Sequence, residues 1–298
     1  MKKILLETMS SNSILLDTTN EACSPFGFLH GEIAMHPDGE TKVIIQGVYP
    51  GHDGVNKLWY EIDRPKTKGR VCYWGGAENL LEAGFKKVKK IVVLFSGSAS
   101  SLRYLSENDK NYGKNYEVIC GISNKKETKG EIFCKEKGIP FIQFNTKNFC
   151  LKNGYEGKLC DMPASLRIEY FKEMLNLIGP LRPDLIILSG FMLEITKPLL
   201  GYCPIINVHP ADLTIKGKDK KPKYTGDDAV RLAIEDGQRY TASTIHFVEK
   251  EVDCGRIICI SESLAVEKGI DPSEHQEKMK VMCDGPAYRE ALRILCMP

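Results

Sequence analysis

From about residue 90 onward, short apolar runs alternate with segments whose apolar residues recur at helical spacing. The runs "KIVVLF" (90–95), "YEVICGIS" (116–123), "PFIQF" (140–144), "DLIILSG" (184–190) and "PIINVH" (204–209) have the length and hydrophobicity of strands covered on both faces. Between them, "SSLRYLSEN", "ETKGEIFCKEKG" and "ASLRIEYFKEMLNLIG" carry helical periodicity, and the last two close on a glycine, where helices commonly stop. Strand and helix in alternation imply an α/β chain with a Rossmann-like, mostly parallel sheet. A helix "DDAVRLAIEDG", two strands "TASTIHFV" and "RIICISE", and a closing helix around 272–296 complete the pattern.

The first 85 residues have another texture. "EIAMHPDGETKVIIQGV" predicts a hairpin turning at Pro37, Asp38 and Gly39, and "KLWYEIDRPKTKGRVCYWGG" predicts a second. Both tryptophans, Trp59 and Trp74, fall here. The pattern therefore predicts a small β-rich N-terminal module over residues 1–85 and a larger α/β domain over 88–298, joined through a helix-like "AENLLEAGFKKVKK".

Composition narrows the partners. The 298 residues are 42% hydrophobic and 27% charged, enough for a substantial core. Lys plus Arg number 41 against 39 Asp plus Glu, and a net charge of +2 gives no broad electrostatic case for nucleic acid or a membrane surface. Any anion site must be local. The opening "MKKILLETMSSNSILLDTTNEACS" is broken by Glu7 and a Ser/Asn run before a signal-peptide core could form. No segment approaches the ~18 apolar residues of a membrane helix. Eleven cysteines without a CxxC pair fit reduced thiols in a cytoplasm better than disulfides or a zinc site, and no metal is expected.

Chemistry concentrates where strands end. In an open α/β sheet, ligands bind beyond the carboxyl ends of the strands. Asn207 and His209 lie two apart at such an end and would project to one side. An Asn amide can donate to a developing oxyanion, and His can hold or deliver a proton near neutral pH. Spacing alone is equally compatible with two polar residues satisfying loop backbone. Downstream, "TIHFVEKEVDCGRII" places Asp253 in a charged loop just before Gly255; a carboxylate there could orient His209, or merely shape the turn. In "LFSGSASSLRYL" a strand, a small-residue turn and a helix start could present backbone N–H groups to a phosphate, but the GxGxxG spacing of a dinucleotide site is absent.

Taken in order, "IVVLFSGSASSL", "ISNK" (122–125), "DLIILSGFM" (184–192), "INVHP" (206–210), "YTG" (224–226) and "TIHFVEKEVDCGRII" (244–258) resemble the folate-dependent formyltransferase family, and within it most closely the branch acting on glycinamide ribonucleotide. The resemblance covers about residues 90–296. It implies the formyltransferase fold and an enzyme of one-carbon and purine metabolism. The reaction would move a formyl group from the co-substrate 10-formyltetrahydrofolate to a primary amine, glycinamide ribonucleotide or a related phosphorylated or sugar amine.

The same resemblance implies a catalytic set of Asn207, His209 and Asp253. It implies a folate pocket formed by Met192, Leu193, Glu194 and Ile195 and by Glu249, Lys250, Glu251 and Val252, bordered by Arg167, whose spacing fits a solvated helix face equally well. Gly97, Ser98, Ala99, Ser100 and Ser101 match the loop that holds the substrate phosphate, and Asp284 matches an acidic substrate contact.

Two departures stand out. The family loop reads SGxGSN where this chain reads "SGSASS", so Ala99 suits the turn only if no positive φ is demanded there. The connection after the histidine, "HPADLTIKGKDKKPKYTG", is longer than the family's and carries Lys216, Lys218, Lys220, Lys221 and Lys223, either as a solvated insertion or as a basic flap over an anionic substrate. A formyltetrahydrofolate deformylase, or a non-catalytic folate- or nucleotide-binding protein, are the competing readings, and the oligomeric state is open, a homodimer included.

Overall fold

The computed structural model describes residues 31–36, 39–50, 56–63, 71–75, 80 and 84–296. Four strands come first: β1 (Ile33–Met35), β2 (Lys42–Pro50), β3 (Asn56–Asp63) and β4 (Val71–Gly75). Then follow β5 (Lys86–Phe95), α1 (Ser100–Asn108), β6 (Tyr116–Ser123), α2 (Lys129–Lys137), β7 (Phe141–Gln143), α3 (Thr146–Lys152), α4 (Ala164–Ile178), β8 (Leu185–Leu188) and β9 (Ile205–His209). The chain ends with α5 (Ala229–Glu235), β10 (Tyr240–Thr241), β11 (Thr244–Phe247), β12 (Ile257–Ile260), β13 (Leu264–Ala265), α6 (Pro272–Met279) and α7 (Gly285–Cys296), the last two joined by a π-helical turn at Lys280–Asp284.

The described residues fall into two compact units, one ending at Lys89 and taking in Gly113–Asn115, the other made of Lys90–Tyr112 and everything from Tyr116. In the first unit, β1 to β4 pair successively and antiparallel, and β1 also pairs with the start of β5, Ile33 opposite Val88. The two anticipated hairpins thus form one meander; Pro37, Asp38 and the turn over 64–70 lie outside the described residues. The same holds for residues 77–79 and 81–83 of the helix-like connector. Its last residues, 86–89, are strand rather than helix, because the pairing with β1 overrides their local pattern.

In the second unit the strand order is β12-β11-β9-β8-β5-β6-β7. The pairs β5·β8, β8·β9 and β6·β7 are parallel, while β11 runs antiparallel to both β9 and β12. Residue parity sorts two cores. Ile91, Val93, Phe95, Leu185 and Ile187 pack with Leu102 and Leu105 of α1 and Tyr288 and Leu292 of α7. Val92, Leu94, Ile186 and Leu188 pack with Tyr170, Phe171, Met174 and Ile178 of α4. Burying each such side chain contributes roughly 1.5–3 kcal/mol, so a strand slipped by one residue would forfeit both cores. β7 departs from the expectation of two covered faces: it is an edge strand and only partly buried.

Local signals set the helix bounds. The Thr128 hydroxyl accepts from Glu131 N–H at the start of α2, and Gly138, at φ 67°, ends it. Asp271 caps α6 by accepting from Ser273 and Glu274 N–H, with Pro272 in the first turn. Gly179, anticipated as a stop, keeps right-handed geometry in a short 3₁₀ turn, and the left-handed residue is Arg182. No described helix is long and apolar enough to cross a membrane.

Candidate active site

The parallel strands β5, β8 and β9 end at one edge of the sheet, so the segments after Phe95, Leu188 and His209 meet there. The antiparallel neighbour β11 supplies the rest. Asn207 is paired across the strands with His246, and His209 with Thr244. Thr244 Oγ1 donates to the Ala211 carbonyl (2.7 Å) and accepts from Leu213 N–H (3.1 Å), which pins the chain leaving His209.

His209 is 4% exposed. Its Nε2 lies 2.8 Å from the Tyr224 carbonyl, which can only accept, so that nitrogen carries a proton. Its Nδ1 lies 3.3 Å from Asp253 Oδ2. Asp253, 7% exposed, also accepts from Gly226 N–H (2.9 Å), and its Oδ1 is 3.7 Å from His246 Nε2. The loop after β11 brings Asp253 here by turning tightly: Asp253 itself sits at φ 55°, and a Cβ on Gly255 would fall 1.8 Å from the Phe247 carbonyl oxygen. Only glycine permits that approach.

His246 is a member of this cluster that the sequence reading passed over. It is 2% exposed, its Nδ1 is 2.9 Å from the Phe247 carbonyl, and Asn207 Nδ2 is 3.4 Å from its Nε2. Burial lowers its pKa below the ordinary histidine value, against a smaller raising influence from the Phe247 carbonyl and Asp253. Its signal was available: in "TIHFV", antiparallel pairing with "INVH" puts this histidine opposite the asparagine.

Asn207, His209, His246 and Asp253 line one cavity of about 590 Å³. Met192, Leu193, Glu194 and Ile195 line it too, as do Glu249, Glu251 and Val252. Met192 N–H donates to Ser96 Oγ (3.0 Å), tying that segment to the end of β5. Lys250 and Arg167 are not part of the wall. The Arg167 guanidinium instead pairs with Glu194 and donates to the Met162 carbonyl, so it supports the wall from behind.

Gly97, Ser98, Ser100 and Ser101 line the cavity beside α1. Ala99 does not; it is 1% exposed and holds φ 50° at the start of α1. The turn does demand a positive φ, and alanine meets it at a cost of about 1–2 kcal/mol. Its methyl is accommodated by Gly130, where a Cβ would fall 2.9 Å from Ala99 Cβ and 2.5 Å from Phe95 Cε2; Gly130 N–H also donates to the Gly97 carbonyl (3.0 Å). Asp284 lines the cavity with its Oδ1 accepting from Ser243 Oγ (2.6 Å), and burial pushes its carboxyl up to about 6. Lys125, Lys280 and Gln276, none singled out from the sequence, also reach the wall.

No lysine of the "IKGKDKKPK" insertion lines the cavity. Lys216 donates to the Leu213 carbonyl, Lys221 pairs with Glu251 at 2.5 Å, and Lys223 pairs with Asp236. Three of its five lysines are thus fastened, Lys221 to Glu251 of the cavity wall.

The sequence profile of the family described as "Formyl transferase" matches residues 89–282. The chain belongs to the formyl transferase family. Among the relatives of this formyl transferase chain, the phosphoribosylglycinamide formyltransferase of Haemophilus influenzae is 31% identical over 173 residues, 57% of this chain and 71% of that protein. The trifunctional purine biosynthetic protein adenosine-3 of Drosophila melanogaster is 30% identical over 174 residues, and the match spans only 11% of its length. The crystal structure of glycinamide ribonucleotide transformylase 1 from Symbiobacterium toebii superposes with a TM-score of 0.56 at 24% identity, covering 77% of this chain and 93% of that one, a likeness of fold.

Proposed function

We propose that this formyl transferase chain moves a formyl group from 10-formyltetrahydrofolate to the primary amine of glycinamide ribonucleotide. One observation carries the reading: Asn207, His209 and Asp253 converge in a single cavity that also holds the 192–195 segment, the 97–101 turn and Asp284. The Haemophilus influenzae relative bears the name of that activity.

The substrate amine attacks the formyl carbon, forming a C–N bond and a tetrahedral oxyanion. The Asn207 amide donates to that oxygen, whose charge develops only in the transition state. Collapse breaks the bond to the folate nitrogen, which needs a proton, while the attacking amine must lose one. His209 carries this proton traffic, and Asp253 holds its ring and balances the imidazolium charge. In the free protein His209 Nε2 is held by the Tyr224 carbonyl. Substrate binding exchanges that acceptor for the reacting groups, as free-enzyme contacts often tighten only in the complex.

Met192–Ile195 with Glu249, Glu251 and Val252 hold the folate, and Arg167 braces Glu194. The 97–101 turn presents backbone N–H groups to the substrate phosphate. Lys125 and Lys280 add charge, and Asp284 accepts from the substrate's hydroxyl groups.

Mixing the full chain with 10-formyltetrahydrofolate and following tetrahydrofolate release tests this. Release dependent on glycinamide ribonucleotide is expected. Equal release in water alone would make the chain a hydrolase, and no release with any amine would leave a binding protein.

A further inference from the structure

We propose that His246 is a positioning residue for Asn207: its neutral ring accepts a hydrogen bond from the Asn207 amide through Nε2 and thereby turns the amide's other N–H toward the cavity. The proposal rests on the formyl-transfer reading above.

The Phe247 carbonyl, 2.9 Å from His246 Nδ1, can only accept, so Nδ1 carries the ring's proton. The ring is enclosed, and burial opposes a second proton, which leaves a lone pair on Nε2. Three charged or titratable groups face it: Asp253, His209 and Glu249. Asp253 Oδ1, at 3.7 Å, is beyond hydrogen-bond reach and is itself an acceptor. Asn207 Nδ2, at 3.4 Å, is the donor that can meet the lone pair. With the amide flipped, its oxygen would face that lone pair, two acceptors in contact within a buried site. The cross-strand pairing of Asn207 with His246 keeps the partners in register. An amide has two N–H groups; with one committed to His246, the remaining one is preorganised for an oxyanion.

Two substitutions separate positioning from simple packing. His246→Asn keeps an amide near the Phe247 carbonyl but has nothing at Nε2, whereas His246→Gln returns an amide oxygen close to the lost Nε2. The expected result for His246→Asn, with 10-formyltetrahydrofolate and glycinamide ribonucleotide, is a kcat about tenfold lower with both KM values within about twofold. His246→Gln should recover most of that kcat. In an Asn207→Ala background, His246→Asn should cost nothing further, since it acts through the missing amide.

A second measurement does not depend on turnover. Nitrogen-resolved NMR of the histidine rings in the unsubstituted protein at neutral pH should show His246 neutral and protonated on Nδ1. A ring protonated on Nε2, an unchanged kcat in a folded His246→Asn, or additive losses in the double variant would overturn the proposal. Absence of formyl transfer by the unsubstituted protein would instead sink the formyl-transfer reading, and the ring measurement would still decide the role of His246.

Discussion

The two ends of the cavity are held in opposite ways. At one end, His209, His246 and Asp253 are buried, and with Asn207 they bind one another or backbone carbonyl and amide groups. At the other, Gly97, Ser98 and Lys125 are exposed, and the turn depends on a left-handed Ala99 resting against Gly130. The first end is fixed by hydrogen bonds and an ion pair among buried groups, so it can be preorganised for charge that appears during a reaction. The second is shaped by backbone and by side chains that come from separate elements. Under the proposed formyl transfer, substitutions there can alter which amine is accepted without disturbing the buried set.

Four substitutions press on that contrast, in decreasing size. His209→Ala should lower kcat/KM for formyl transfer by about 10²–10⁴-fold in steady-state assays; near-normal turnover would remove His209 from the chemistry. Asp284→Asn addresses a buried acid whose carboxyl, at about 6, lies above its ordinary 3.8. Between those values the native state binds more protons than the unfolded state, so stability falls as pH rises through the window. The ionised form's burial penalty is complete above it, about 3 kcal/mol in all. Thermal unfolding at pH 4.5 and pH 8 should therefore show a smaller loss of Tm in the Asn variant than in the unsubstituted protein.

Lys280→Ala should raise KM for glycinamide ribonucleotide about tenfold, one charge-assisted contact, and leave kcat and the folate KM alone; a fall in kcat instead would place Lys280 in the chemistry. Lys221→Gln should be smallest. Its pairing with Glu251 is exposed, and surface pairs contribute about 0–1 kcal/mol. A Tm shift within a degree or two and an unchanged folate KM are expected, and a large rise in that KM would make the insertion part of the folate wall.

Much of the α/β unit was legible because its signals are local. "IVVLF" and "LIIL" are hydrophobic enough to be strands whichever neighbour they find, and Gly138 announced its helix end. The strand-end pair Asn207 and His209 was visible for the same reason. What stayed hidden depends on pairing between distant segments. His246 acquires its meaning from the β9–β11 register. Lys280 reaches the cavity from a π-helical turn inside what reads as one continuous helix. Residues 86–89 look helical until β1 pairs with them. The insertion's lysines could be counted, but which acids they would meet is a matter of tertiary placement.

The β9–β11 pairing gives this arrangement a built-in alignment check. A slip of one residue between these strands would carry His246 away from Asn207 and turn its ring to the opposite face of the sheet. A misregistered sheet would therefore turn over more slowly as well as pack poorly. Turnover per chain then reports the fraction of chains whose strands are correctly aligned, a distinction that bulk measures of secondary structure do not make.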